Sequence, residues 1–200
     1  ATLIAPESDA EQVQKTSGQP YSFFLAHPFN IPLAQFDAVL GPPADWIVEW
    51  KWDGIRAQLV KRAGVVWLWS RGEELMTERF PELAALGEAL PDGTVLDGEI
   101  AVWRDDRVQP FAELQKRIGR KTLGAKLLRD IPVVLLAYDL LEWEGRDLRA
   151  LPQSARRVRL DELVTRLQHP SLLPSPMLSG RYWPDLARQR EAARTMGVEG

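Results

Sequence analysis

The sequence contains no cysteine, which excludes disulfides and thiolate metal sites. That agrees with a reducing cytoplasm, where we expect the protein to reside. Long hydrophobic runs are also missing. The longest, Ile131 to Leu141, is broken by Pro132 and Asp139 and is far too short to span a bilayer as a helix, so no membrane association is expected. Ala1 to Gln19 lack the charged start and apolar stretch of a signal peptide, and residues 1–20 read as a polar linker or the end of a preceding domain. Positive charge is not in excess. With a net charge of −3 the whole chain does not advertise affinity for nucleic acid, so any such surface must be local. No internal repeat or low-complexity tract breaks up the chain.

What is present fits one ordinary domain, because 45% hydrophobic residues in a chain of 200 suffice for a sizeable core. Ile47 to Trp50 leads into Ile55 to Arg62, Ala63-Gly64 offers a turn, and Val65 to Ser70 returns as the second arm of an antiparallel hairpin. Val95 to Trp103 and Val133 to Glu142 are further strands, rich in β-branched and large apolar residues. Helical spacing marks Phe80 to Leu90, Ser154 to Leu167 and Asp185 to Met196, the last preceded by Pro184 and stopped by Gly197. Helices interrupt the strands irregularly, which predicts an α+β fold rather than a doubly wound parallel sheet. The chain ends at Val198-Glu199-Gly200, at what reads as the start of another strand. We therefore expect a domain over residues 21–200 that is cut short at its C-terminal end.

Between Lys116 and Arg129 lie six basic residues and no acidic one. Such a run suits a solvated helix face or a track for phosphates, and composition leaves both open. The eight tryptophans are expected to be packing residues rather than a base-stacking platform.

The string Lys51-Trp52-Asp53-Gly54-Ile55-Arg56 places an amine, a carboxylate, a glycine and a guanidinium within six residues, at a junction of strands. An amine that is neutral when it attacks can take up a nucleotidyl group from an α-phosphate as a phosphoramidate. Arg56 would neutralise phosphates, Asp53 would orient the amine or a metal ion, and Gly54 would allow close approach to a ligand or a special backbone conformation. By itself the string also fits a turn between strands with ordinary surface charges. Glu99 is more telling, since a carboxylate in an otherwise apolar strand is costly unless it is paired or bound to a cation or ligand.

Lys51 to Arg56 resembles the first motif of the covalent nucleotidyltransferases, which comprise DNA ligases, RNA ligases and mRNA capping enzymes. Similar segments follow in family order. They are Ser70-Arg71-Gly72 with Thr77 to Pro81, Leu96-Asp97-Gly98-Glu99-Ile100, Tyr138-Asp139-Leu140-Leu141 with Gly145 to Leu148, and Glu199-Gly200. The wording of Ser70 to Pro81, together with Phe111 to Gln115, looks most like bacterial and archaeal ATP-dependent DNA ligases. No nicotinamide-binding domain is visible before Lys51, which favours ATP over NAD.

The resemblance implies a nucleotidyltransferase (ATP-grasp-like) adenylation domain of two packed, mainly antiparallel sheets with flanking helices. It implies that Lys51 carries AMP, with Asp53 beside it in the catalytic group. It also implies that Glu49, Arg56, Arg71, Glu99 and Tyr138 bind ATP, Glu49 and Tyr138 through adenine, Arg71 through phosphate and Glu99 through the ribose. Glu99 and Glu199 would hold Mg²⁺ or Mn²⁺. The expected partner is nicked double-stranded DNA, touched by Lys116, Arg117, Arg120 and Lys121, and the expected enzyme is a monomer, nucleoid-associated in a prokaryote. The motif that follows Glu199-Gly200 in the family, with its phosphate-binding lysines, and the OB domain lie outside the sequence, so poor self-adenylation is expected of these 200 residues. RNA ligation, capping, or a catalytically inactive nucleotide- or DNA-binding fragment are the alternatives.

Overall fold

A computed structural model describes residues 18–120, 122–191, 193 and 198–200. Nine strands are seen among them: β1 Val48–Glu49, β2 Ile55–Arg62, β3 Val65–Ser70, β4 Thr94–Arg104, β5 Arg107–Val108, β6 Val133–Trp143, β7 Arg146–Asp147, β8 Leu172–Pro174 and β9 Met177–Leu178. The α-helices are α1 Phe36–Leu40, α2 Pro81–Ala89, α3 Phe111–Ile118, α4 Ala125–Asp130, α5 Gln153–Leu167 and α6 Trp183–Glu191. No described helix is long and apolar enough to cross a membrane.

The large sheet runs β3-β2-β4-β6-β7, with β5 on β4 and β8 beside β6. Only the β6–β8 pair is parallel; the other described strand pairs are antiparallel. The expected hairpin is present, and its turn works because Ala63 and Gly64 both take positive φ, 49° and 73°, a twist that suits a two-residue connection. The second sheet is much smaller. β1 pairs with β9, and Lys51 continues that layer by exchanging backbone hydrogen bonds with Glu199 and Gly200, next to a Trp52–Val198 bridge. Where a strand is expected to start at Val198, the described residues form this single bridge and the backbone exchange with Lys51, and no strand.

The main core lies on the helix-covered side of the large sheet, where Leu59, Leu68, Leu96, Ile100, Leu135 and Leu140 meet Leu83 and Leu86 of α2 and Leu160 and Leu163 of α5. A second apolar cluster, with Trp50, Trp52, Ala101, Val134 and Leu136, joins the two sheets. Tryptophan here is largely packing material, as expected, although Trp46 is exposed. Helix α6 begins two residues earlier than its predicted start, with Pro184 in its first turn, where a missing N–H costs nothing. Met196 and Gly197, the predicted end and stop, lie outside the described residues.

The segment before the first helix is attached to the large sheet. Trp69 Nε1 donates to the Gly18 carbonyl, and the Tyr21 backbone N–H donates to Gln58 Oε1, both at 2.8 Å. The Tyr21 hydroxyl donates to Glu142, and the same ring lies beneath the guanidinium groups of Arg62 and Arg149.

Candidate active site

A cavity of about 420 Å³ opens on the side of the large sheet away from α2 and α5. Lys51, Arg56, Arg71, Glu99, Tyr138 and Glu199 all line it, although they come from five separate segments of the chain. Phe24 to Ala26 and the Ser70-Arg71-Gly72 turn complete part of its wall.

Each side chain arrives there for a local reason. Lys51 follows β1 and pairs with Glu199, the residue whose backbone N–H donates to the Lys51 carbonyl. Arg56, the second residue of β2, lies directly opposite Glu99 of β4, and its backbone carbonyl accepts from the Arg71 N–H at 2.9 Å, which fixes Arg71 beside it. Tyr138 is re-aimed by a bulge: Gly98 faces Ala137 and Asp97 faces Asp139, so Tyr138 is the extra residue on β6. The Arg56 guanidinium then lies 4.4 Å from the Tyr138 ring centroid.

Gly54, which also lines the cavity, is required by the sheet. A β-carbon there would strike the Ile100 carbonyl oxygen and approach Glu99 Cγ to 2.9 Å. Its φ is not positive, so close approach of the chain to β4, and not a special conformation, accounts for it.

Burial shapes the electrostatics. Glu99 is only 8% exposed, and burial pushes its carboxyl up to about 7, helped by neighbouring Asp97 and opposed by Arg56, Lys51 and Arg71. Burial likewise raises Asp97 to about 6 against the pull of Arg56, whose Nε is 2.7 Å from Asp97 Oδ1, and of Gln58, which donates to Oδ2. The Tyr138 hydroxyl is held above its ordinary range, first by burial and then by Glu99.

Two expected site residues do not line this cavity. Glu49 turns into a neighbouring groove and pairs with Arg157 at 2.8 Å, with burial raising its carboxyl to about 7 despite that cation. Asp53 is half-buried in the bend after Lys51, outside the lining. In the basic run, Lys116 and Arg120 are exposed and Lys121 lies outside the described residues. Arg117 corrects the expectation of a DNA contact. It is 1% exposed, and its guanidinium is held through Nη1 and Nη2 by both Glu82 oxygens and by the carbonyls of Ile131 and Arg79, so it is turned inward and not presented to a phosphate.

The sequence reading missed Asp97, although it sits two residues before Glu99 and so on the same strand face. It also missed Arg157, which occupies an inward position of α5 alongside Leu160, where an apolar residue would be the rule.

The family model described as "ATP dependent DNA ligase domain" matches residues 24–200. A probable DNA ligase of Opitutus terrae is 47% identical over 134 residues, covering 64% of this chain and 13% of that protein. One from Koribacter versatilis is 38% identical over 149 residues, covering 73% of this chain and 25% of the relative. Among solved structures, the ligase domain of M. tuberculosis LigD matches with a TM-score of 0.59 and 33% identity over 78% of this chain and 46% of its own. A mycobacterial DNA ligase D complexed with ATP and MES matches similarly, with a TM-score of 0.58 and 34% identity, over 78% of this chain and 46% of that one. The chain thus spans less than half the length of each of these proteins. With a family match over nearly all of its described residues, and the fold of solved ligase domains around the cavity, the chain belongs to the ATP-dependent DNA ligase domain family.

Proposed function

We propose that this domain, within the full-length protein, takes up AMP from ATP on Lys51 and serves an enzyme that seals nicks in duplex DNA. One observation carries the reading: a single cavity unites Lys51 with two arginines, two carboxylates and an aromatic ring. In the first step Lys51 Nζ, having released Glu199, attacks the α-phosphorus. A P–N bond forms, the bond to the bridging oxygen breaks, pyrophosphate leaves and the amine gives up a proton. AMP then passes to the 5′-phosphate of a nick, and the 3′-hydroxyl displaces it as the phosphodiester forms. Arg56 and Arg71 neutralise phosphate charge, Tyr138 stacks on adenine once Arg56 moves toward the phosphates, and Glu99 binds the ribose. Glu49 meets the adenine edge from beside the cavity, and Asp53 orients the amine. The relative complexed with ATP supports ATP as the donor.

Glu99 and Glu199 are oxygen donors of the kind Mg²⁺ or Mn²⁺ takes, and no group of three or more potential ligands occurs among the described residues. Two carboxylates completed by substrate phosphates is how Mg²⁺ commonly binds, so the donor set fits. The ion would supply charge neutralisation at the phosphates. Lys116 and Arg120 are the exposed candidates for contacts to the DNA backbone.

Mass spectrometry of the full-length protein after ATP and Mg²⁺ tests the reading. One adenylyl group on wild type and none on Lys51→Ala is expected, and an adduct that survives the substitution overturns it. Preference for GTP or RNA ends in the same assay would support the capping or RNA-ligase alternatives instead.

A further inference from the structure

Helix α5 reaches the Lys51 segment through Arg157. Arg157, 6% exposed, donates from Nη1 to Glu49 Oε1 at 2.8 Å, from Nη2 to the Ser175 carbonyl at 2.7 Å and from Nε to Asp161 Oδ1 at 2.9 Å. A guanidinium engaged through all three nitrogens fixes a plane as well as a charge. Two of its acceptors, Glu49 and Ser175, lie around the proposed nucleophile, and the third, Asp161, is on its own helix. Glu49 precedes Lys51 by two residues. Ser175 Oγ accepts from the indole of Trp52, the residue after Lys51, at 3.1 Å, and the Ser175 N–H donates to the carbonyl of Ala137, the residue before Tyr138. Lys51 itself is mostly exposed and is held by its backbone exchange with Glu199 and Gly200 and by its pairing with Glu199.

We infer that Arg157 is a positioning residue for Lys51: it holds Glu49 on one flank and, through Ser175, Trp52 on the other, so that the amine meets the cavity at a fixed place. The inference rests on the proposed adenylation of Lys51. It gives a use to a buried charge that would otherwise be a net cost to the fold, since a well-packed apolar residue would do as well for stability. Arg117 offers the contrast within the same molecule. It too is buried and paired with a carboxylate, but its partners Glu82, Arg79 and Ile131 belong to the α2–α3 side and none of them lines the cavity.

Arg157 also favours the charged form of Glu49. Burial favours the protonated carboxyl, and Arg157 is the largest opposing influence, ahead of Ser175 and the more distant Arg56; Tyr138 also faces Glu49, and Asp161 balances Arg157 from its own helix. Removing the guanidinium should therefore leave Glu49 protonated at higher pH.

The test is single-turnover adenylation of the full-length protein as a function of ATP and pH, for wild type, Arg157→Gln, Arg157→Lys and Arg117→Lys. In Arg157→Gln the rate at saturating ATP should fall roughly 10- to 100-fold, the scale of a misplaced reacting group. The acid limb of the pH profile should move upward, and adding Glu49→Gln, which removes the titrating carboxyl, should abolish that limb. Arg157→Lys, which keeps a charge without the planar fork, should recover part of the rate. Arg117→Lys should lower the melting temperature and leave rate and profile unchanged. If Arg157→Gln does not fold, Arg157→Lys and Ser175→Ala carry the same comparison. Rates and profiles that superimpose on wild type overturn the inference. Absence of a Lys51 adduct in wild type overturns the adenylation reading first, and the inference with it.

Discussion

Strand β4 is buried on both faces, yet the two faces are made of different chemistry. Toward α2 and α5 it presents Leu96, Ile100 and Val102, members of the main core. Toward the cavity it presents Asp97 and Glu99, with Arg56 and Gln58 reaching them from β2. Removal from water has opposite consequences on the two sides. On the helix side it stabilises the fold, by about 25 cal/mol per Å² of apolar surface. On the cavity side it raises the proton affinity of the carboxylates and leaves them short of compensation until something positive arrives. One strand therefore supplies stability from one side and chemical readiness from the other, and damage to each should show in a different measurement.

The largest stability effect is expected on the helix side. Leu135→Ala would empty a fully buried site among Leu96, Ile100 and Leu163, and denaturant unfolding should show a loss of about 2–5 kcal/mol. A loss below about 1 kcal/mol would mean that this face is not the main support. Arg117→Met should come next, at about 2–3 kcal/mol, because it leaves Glu82 without its bidentate partner. The cost stays below that of a fully buried orphan because the Glu82 side chain is 23% exposed and regains some water. Adenylation of the folded fraction of either variant should match wild type.

How much of this was legible beforehand follows the same division. The hairpin, β4, β6 and the long helices were readable because alternation, turn residues and helical spacing are local signals. So was the cavity set of Lys51, Arg56, Arg71, Glu99, Tyr138 and Glu199, through motif resemblance and, for Glu99, through the cost of a carboxylate in an apolar strand. Arg117 was misread because a run of basic residues does not say which one turns inward; that depends on Glu82, 35 residues earlier. Arg157 was unreadable for the same reason, since its partner Glu49 is 108 residues away. The bulge that aims Tyr138 also depends on pairing between strands, which no short window contains.

The cavity side should reveal itself through pH. Glu49, Asp97 and Glu99 all have folded-state values raised above their ordinary ones, to about 7, 6 and 7. Each therefore binds its proton more tightly when folded. Its contribution to stability is full below its unfolded value and is lost as pH rises through its folded one. Unfolding free energy should fall between about pH 5 and pH 7, with each such group contributing at most about 1.4 kcal/mol per pH unit. Glu49→Gln should flatten the slope, and urea melts across that range measure it. A stability that rises over the range would show that the cavity carboxylates are better compensated than their burial indicates.

The smallest stability effect is expected at Lys51. Its side chain is 62% exposed and its partner Glu199 is 44% exposed, so the pair gains little in water and is screened by salt. What orders this stretch is the backbone exchange among Lys51, Glu199 and Gly200 and the burial of Trp50 and Trp52, none of which uses the amine. Lys51→Ala should therefore leave the unfolding free energy within about 0.5 kcal/mol of wild type, the range for exposed sites, while removing the amine that we propose accepts AMP. A loss beyond about 1.5 kcal/mol would place the Lys51–Glu199 pair among the supports of the fold, because it would mean that the amine fastens the chain's last residues to the second sheet. Opening that pair for chemistry would then cost the same free energy in every turnover, and the separation between the two sides of the sheet would fail at the nucleophile itself.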